Sequence, residues 1–153
     1  MLLEEDYLFL RLVLEKGEFF LPEQAVLLFA DDFQPTHRQC HITAMQVAVE
    51  AGFPPVPGIA FFNVNEKLYP WPHMVNRRAD GVLIDCSPRP DQPMLGFAES
   101  GWAAMTHWRR VTEAYDALGR HADAASWGDP LADALTRDFL PPLRELALVG
   151  ISA

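Results

Sequence analysis

The chain has 153 residues, of which half are hydrophobic and 22% are charged, and this composition suits one globular domain that buries its own core. Its formal charge of −9 argues against a nucleic-acid partner and against an anionic membrane, because both attract clustered Lys and Arg. No apolar run approaches the roughly 20 residues that span a bilayer, and the acidic N-terminus lacks the basic region of a signal peptide. With only two cysteines present, a reducing cytoplasm is the expected location.

The first part of the chain has helical spacing. Apolar residues recur every three or four positions from Leu3 to Leu14, and Gly17 fits just past the end of this helix. Pro22 suits the first position of a second, short helix that runs to about Ala30. The sequence therefore predicts two helices, followed by a loop over residues 31–35.

The next helix has a clear start and end. Thr36 and Gln39 fit a capping box, in which each side chain pairs with a backbone amide of the first turn. Apolar residues then form one stripe from Cys40 to Ala51, and Gly52 ends the helix. This pattern places Cys40 in the first turn, on the inward-facing edge.

The middle of the chain has the composition of β-strands. Residues 58–64 are rich in residue types that favour strands and are predicted to form one. Residues 73–78 and 82–86 are also predicted strands. The Asp-Gly pair at positions 80–81 between them is a strong hairpin signal. A proline-rich segment at 87–93 is expected to end the sheet.

The remainder, residues 98–150, has helical spacing, and the Pro-Pro pair at 141–142 is expected to break or kink the last helix. The predicted fold is α+β, with a small antiparallel sheet packed against the Cys40 helix and additional C-terminal helices. We expect a single domain over residues 1–153, with a core motif at 34–90.

Three residues of the core motif carry the chemistry. Cys40, His73 and Asp85, in that order, can act as a nucleophile, its base and the group that orients the base. The first turn of a helix favours a thiolate at Cys40, because unpaired amides and the helix dipole stabilise the anion. The same amides can hold an oxyanion. The sequence therefore predicts a cysteine-dependent hydrolase or acyltransferase.

The hairpin places a geometric condition on this prediction. His73 and Asp85 share a face of the sheet only if paired residue numbers add to an even value, since side chains alternate. A two-residue loop gives an odd sum and separates them. A three-residue loop, with Gly81 left-handed, pairs Arg78 with Val82 and brings the two side chains within reach. We therefore predict the three-residue loop, with Asp85 accepting from a ring N–H of His73.

The segments CHITAMQVAVEAG, GIAFFNV and PHMVNRRADGVLID together resemble the papain-like and transglutaminase-like cysteine hydrolases, and in particular small bacterial domains of that type. The resemblance implies that Cys40 is the nucleophile, His73 the base and Asp85 the orienting acid. It also places Gln34 where papain-like enzymes keep an oxyanion-hole Gln, with Gln39 as an alternative donor.

The sequence departs from the family pattern at three places. Thr43 stands where the pattern has Asn, Met74 and Val75 stand where it has Ala-Trp, and Cys86-Ser87 stands where it has Pro-Thr. None of these changes removes a member of the triad. The absent Trp at position 75 predicts that the catalytic imidazole is packed and shielded differently.

A metal site is the competing interpretation of the same region. His37, Cys40 and His41, with His73 as a fourth ligand, offer suitable atoms. The H-x-x-C-H spacing matches no structural-zinc pattern, so we expect no metal and no cofactor.

Two further residues have predicted positions. Trp71, between two prolines just before His73, is expected to line the active cleft. Cys86 adjoins Asp85 on a strand, so it faces the other way and is expected to be a small buried residue. The expected substrate is a peptide, a protein or a small amide or ester. The alternative is a catalytically inactive binding or regulatory protein that retains a transglutaminase-like fold.

Overall fold

A computed structural model describes residues 4–24, 40–64, 66–86, 94–117 and 130–152. The helices and strands in these ranges are α1 Glu4–Lys16, β1 Glu23–Gln24, α2 Cys40–Ala51, β2 Pro55–Val64, β3 Lys67–Arg77, β4 Leu83–Asp85, β5 Met94–Glu99, α3 Gly101–Ala117 and α4 Pro130–Ser152. The predicted α+β class is confirmed.

The sheet has the strand order β1-β4-β3-β2-β5. The long hairpin of β2 and β3 forms its centre, and β4 and β5 pair antiparallel on either side. At one edge the two-residue strand β1 is parallel to β4, so the sheet is not wholly antiparallel as predicted. Parallel neighbours need a long crossover connection, and here the chain between β1 and β4 includes α2, β2 and β3.

Helix α2 ends as predicted. Its bounds are Cys40–Ala51, and the predicted capping box at residues 36–39 lies outside the described residues. Gly52 follows with a φ of +73°, and its N–H donates to the carbonyl of Ala48 at 3.0 Å. A residue without a Cβ adopts this left-handed conformation without strain, which is why the helix ends there.

The segment after Pro22 is a strand at its start, so the helix predicted to begin there is wrong for residues 23–24. Glu23 pairs with Ile84 and the next residue pairs with Asp85. The φ fixed by a proline ring suits both the first turn of a helix and an extended chain. Pairing with β4 selects the extended conformation. Residues 25–30 of the predicted helix lie outside the described ranges.

Strand β5 corrects the expectation that the sheet ends at residue 93 and that helix dominates from residue 98. Residues 94–98 are all buried, and the strand pairs along β2 with a bulge between Phe61 and Phe62. A strand buried on both faces lacks alternation, and a short apolar run of this kind cannot be distinguished from helix by periodicity.

Helix α4 passes through the Pro-Pro pair that was predicted to break or kink it, and the predicted break is absent. Pro141 and Pro142 are exposed, whereas Leu140 and Leu143 on either side are buried in the main core. A proline inside a helix costs about 3 kcal/mol. Burial of the flanking leucines offsets this cost and keeps the helix continuous.

The main core joins α1, α3 and α4 to the sheet. Its largest fully buried side chain is Trp108 of α3, whose indole N–H donates to the carbonyl of Pro70 at 3.2 Å. Leu10 of α1 and Leu135 of α4 belong to the same cluster. Among the helices of the described ranges, none is long and apolar enough to cross a membrane.

Candidate functional site

The hairpin of β3 and β4 has the predicted three-residue loop. The N–H of Arg78 donates to the carbonyl of Val82 at 2.8 Å, and the N–H of Gly81 donates back to the carbonyl of Arg78 at 2.8 Å. Gly81 has a φ of +88°, in the left-handed region that favours glycine. The ladder continues in the same register along both strands, so the predicted register is confirmed.

Asp80 holds this loop in place. Its carboxylate accepts hydrogen bonds from the guanidinium of Arg78 at 2.7 and 2.9 Å and from the N–H of Val82 at 3.2 Å. The Arg78 donors and the Val82 amide lower the pKa of Asp80 to about 2. The carboxylate is therefore ionised at neutral pH and keeps the loop at three residues.

The register brings His73 and Asp85 together. His73 Nε2 lies 2.9 Å from Asp85 Oδ2, and the two residues are 7% and 1% exposed. The predicted contact is confirmed, and we call this pair the dyad. When Asp85 is ionised its oxygens only accept, and Nε2 is then the donor of this hydrogen bond. The other ring nitrogen, Nδ1, is the one nearer the backbone.

Helix α2 is fastened to one face of the sheet. Asn76 donates from Nδ2 to the carbonyl of Ala44 at 2.9 Å and to the carbonyl of Phe53 at 3.0 Å. On the neighbouring strand, Ile84 packs against Val47. Together these contacts place the buried side of α2 on the face that carries Asn76 and Ile84.

The dyad lies on the opposite face. His73 is three positions from Asn76 on β3, and Asp85 directly follows Ile84 on β4, so the alternation of side chains separates the dyad from the contacts of α2. Cys40 is the first residue of α2, as predicted, and its side chain lies outside the described part.

The predicted oxyanion donors, Gln34 and Gln39, lie outside the described residues, as does His37 of the metal alternative. Within the described ranges, no group of three or more His, Cys, Asp or Glu side chains is arranged to hold a metal ion. The residues that the structure does bring together are thus His73 and Asp85.

Trp71 lies on the same strand and the same face as His73, two positions away. It is partly buried and stacks on Tyr69, with ring centroids 5.8 Å apart and planes at 27°. An aromatic surface therefore adjoins the dyad along β3. That Trp71 lines a substrate cleft stays a prediction.

Cys86 is buried, as predicted, and packs with Val47 and Ile84 on the face away from Asp85. Burial, with a smaller contribution from the charge of Asp85, raises the pKa of its thiol to about 11. The thiol is therefore protonated at neutral pH and a poor nucleophile. Cys86 serves as an unreactive reference for Cys40 in the same chain.

Sequence reasoning missed an aromatic neighbour of the dyad. Phe97 of β5 is fully buried, and its ring centroid lies 6.3 Å from that of His73, with the planes at 75°. The residue was missed because β5 was missed. The available signal was the apolar run at 94–98 between a proline-rich segment and the next helix.

A second His–Asp pair was also missed. His107 Nε2 of α3 lies 2.9 Å from Oδ1 of Asp6 in α1, and Asp6 is buried whereas His107 is half exposed. The two residues are 101 positions apart in the chain, a separation over which no local pattern predicts contact.

Comparison of the whole chain with family models, with curated proteins and with solved structures finds no match.

Proposed function

We propose that the protein is a cysteine-dependent hydrolase or acyltransferase of the papain-like and transglutaminase-like kind, with Cys40 as its nucleophile. The observation that carries the proposal is the buried hydrogen bond of 2.9 Å between His73 and Asp85. A carboxylate that holds one ring nitrogen, and so orients the other, is what a base of this kind needs. Cys40 at the first position of α2 supports the assignment of the nucleophile.

In this mechanism His73 Nδ1 takes the thiol proton as the Cys40 sulfur attacks the carbonyl carbon of an amide, ester or thioester. The carbonyl oxygen becomes an oxyanion, which backbone N–H groups at the start of α2 stabilise. Collapse of the intermediate breaks the bond to the leaving group, and His73 returns its proton to that group. Water or an amine then attacks the thioacyl carbon and gives its proton to His73, the carbon–sulfur bond breaks, and His73 returns the proton to the Cys40 sulfur. The product is a carboxylic acid after hydrolysis or an amide after transfer.

Asp85 acts through the ring rather than on the substrate. By accepting from Nε2 it holds His73 in the tautomer whose Nδ1 can take a proton, and it stabilises the imidazolium that forms. The expected substrate is a peptide, a protein or a small amide or ester, and no step of this mechanism calls for a metal or cofactor.

A non-catalytic binding protein is the second candidate, and two observations favour it. The dyad lies on the face of the sheet away from the contacts of α2. A buried His–Asp pair in that position is also explained by a structural role, without catalysis. The outer side of α2 exposes an apolar stripe of Ile42, Met45 and Val49, at 46%, 48% and 78% exposure. Exposed apolar patches commonly mark interaction surfaces.

Alkylation by iodoacetamide near pH 6 separates the two candidates. We expect Cys40 to react at least about tenfold faster than glutathione, because a paired thiolate persists where a free thiol is protonated. Peptide mapping by mass spectrometry assigns the label, with Cys86 as the unreactive internal reference. His73→Ala should abolish the excess rate. A Cys40 that reacts no faster than glutathione would exclude the catalytic proposal and favour the binding protein.

A further inference from the structure

Phe97 reaches the dyad from two strands away. In the sheet order, β2 lies between β3, which carries His73, and β5, which carries Phe97. The two rings nevertheless meet edge to face, with centroids 6.3 Å apart and planes at 75°. The Phe97 side chain must therefore cross over the backbone of β2 to touch the imidazole.

Gly58 is the residue over which Phe97 crosses. It pairs directly with His73 across β2 and β3. A Cβ added at Gly58 would lie 2.4 Å from Phe97 Cζ and 2.2 Å from the carbonyl oxygen of Ala98, closer than real atoms approach. Gly58 is not in a left-handed conformation. A glycine is therefore needed here because a side chain would collide with Phe97, and not because of the backbone conformation.

This arrangement gives the imidazole an apolar wall. Phe97 is fully buried, and an edge-to-face pair has a preferred geometry, so the contact restricts rotation of the His73 ring. Phe97 also keeps water from the side of the imidazole that faces β2, and a ring in a drier environment makes a stronger hydrogen bond to Asp85 on its other side. Val75, the next side chain on the same face of β3, is aliphatic and offers no ring of its own.

We propose that Phe97, seated over Gly58, is a positioning residue of the dyad: it fixes the plane of the His73 ring, and with it the hydrogen bond to Asp85, and it keeps water from the side of the ring that faces β2. A role for Phe97 in the reaction at Cys40 rests on the proposed function. The effect of Phe97 on the orientation of the His73 ring is independent of that function.

The exchange of the His73 Nε2 proton with water, followed by NMR with ¹⁵N-labelled histidine, tests the proposal directly. In the unsubstituted protein we expect a downfield Nε2–H signal that exchanges slowly and disappears in Asp85→Ala. Phe97→Leu should accelerate its exchange by about tenfold or more, since it opens the wall to water. An Nε2–H of His73 that exchanges rapidly in the unsubstituted protein would overturn the proposal without any variant.

Phe61→Leu is the matched control. Phe61 is also a fully buried phenylalanine of the same sheet, and its ring packs edge to face on Phe19, away from the dyad. In Phe61→Leu we expect the exchange rate of the His73 Nε2 proton to stay within about threefold of that in the unsubstituted protein. The free energies of unfolding of the two variants are measured alongside, so that a difference in overall stability is not mistaken for a local effect. Equal acceleration in Phe97→Leu and Phe61→Leu would show a general loosening of the core and would overturn the proposal.

The two proposals fail differently. If His73→Ala leaves the alkylation rate of Cys40 unchanged while Phe97→Leu alone accelerates exchange, the catalytic role fails and the positioning role stands. If His73→Ala slows alkylation while Phe97→Leu and Phe61→Leu exchange alike, the positioning role fails and the catalytic one stands. When both hold, Phe97→Leu should also lower the alkylation rate of Cys40 below that of Phe61→Leu.

Discussion

A buried carboxyl group is costly to keep in a protein unless it is paired or hydrogen-bonded. Asp85 is 1% exposed and meets this condition through His73 Nε2 at 2.9 Å. The same pairing selects the ring tautomer. One hydrogen bond thus serves both the stability of the sheet and, in the proposed mechanism, the basicity of Nδ1.

Removal of the Asp85 carboxylate should be strongly destabilising. We expect Asp85→Ala to lower the free energy of unfolding by roughly 3 kcal/mol, because it leaves the buried His73 ring without this partner. Asp133→Ala is the control: its ion pair with Lys67 is mostly exposed and should contribute less than about 1 kcal/mol. Urea denaturation measures both. Equal losses would contradict a stabilising dyad.

The thiol of Cys86 makes a pH-dependent contribution of predictable sign. Burial raises its pKa from 9.0 to about 11, so between these values the unfolded chain loses the proton that the folded chain keeps. The contribution of the Cys86 thiol to the free energy of unfolding is therefore fully present below pH 9 and decreases as the pH rises towards 11.

Cys86→Ala removes this titration. Chemical denaturation at pH 8 and pH 10.5 should show a smaller loss of stability in the variant than in the unsubstituted protein, although the variant starts less stable because its core is smaller. Parallel pH curves for the two proteins would contradict the inferred burial of the thiol.

At the scale of elements, the β3–β4 hairpin determines whether the dyad exists. Its loop depends on Gly81 in the left-handed region, at a φ of +88°, and on Asp80 bound to the Arg78 guanidinium. A change of one residue in loop length would reverse the face of every following side chain. The contact between His73 and Asp85 is in this sense a property of the loop.

Gly81→Ala should therefore affect the site as well as stability. A side chain at positive φ costs about 1–2 kcal/mol, and we expect a loss of that size in urea denaturation. Gly17→Ala, at a φ of +66° after α1, carries similar strain outside the β3–β4 loop and is the matched control. Only Gly81→Ala should alter the His73 Nε2–H signal. If both variants leave that signal intact, the loop does not control the dyad.

At the scale of the whole molecule, α2 differs from the other helices. It packs in small clusters of its own, with Ala44 against Met74 and Met105, and with Val47 against Ile84. The main core instead unites α1, α3 and α4 with the sheet. In the described part of the chain, α2 is attached to the sheet by these clusters and by the two amide hydrogen bonds of Asn76.

Ion pairs join distant parts of the chain at the surface. Arg11 of α1 pairs with Asp138 of α4, and Arg144 of α4 pairs with Glu66 in the turn between β2 and β3. Exposed pairs of this kind contribute about 0–1 kcal/mol each. The arrangement of the helices around the sheet therefore depends on the buried core, and these pairs add little to it.

The sequence by itself determined the C-terminal end of α2 and the position of the β3–β4 hairpin, because a glycine ends the helix and an Asp-Gly pair marks the turn. The three-residue loop was predicted because His73 and Asp85 share a face only in that register, and the structure confirms the loop and the contact. Only the tertiary structure decided the strand identity of β5, the parallel edge strand β1, the continuity of α4 through its prolines and the contact of Phe97 with the dyad. Each of those depends on pairing or burial between segments far apart in the chain, which local patterns do not determine; the apolar run at 94–98, for example, suits a buried strand and a buried helix alike.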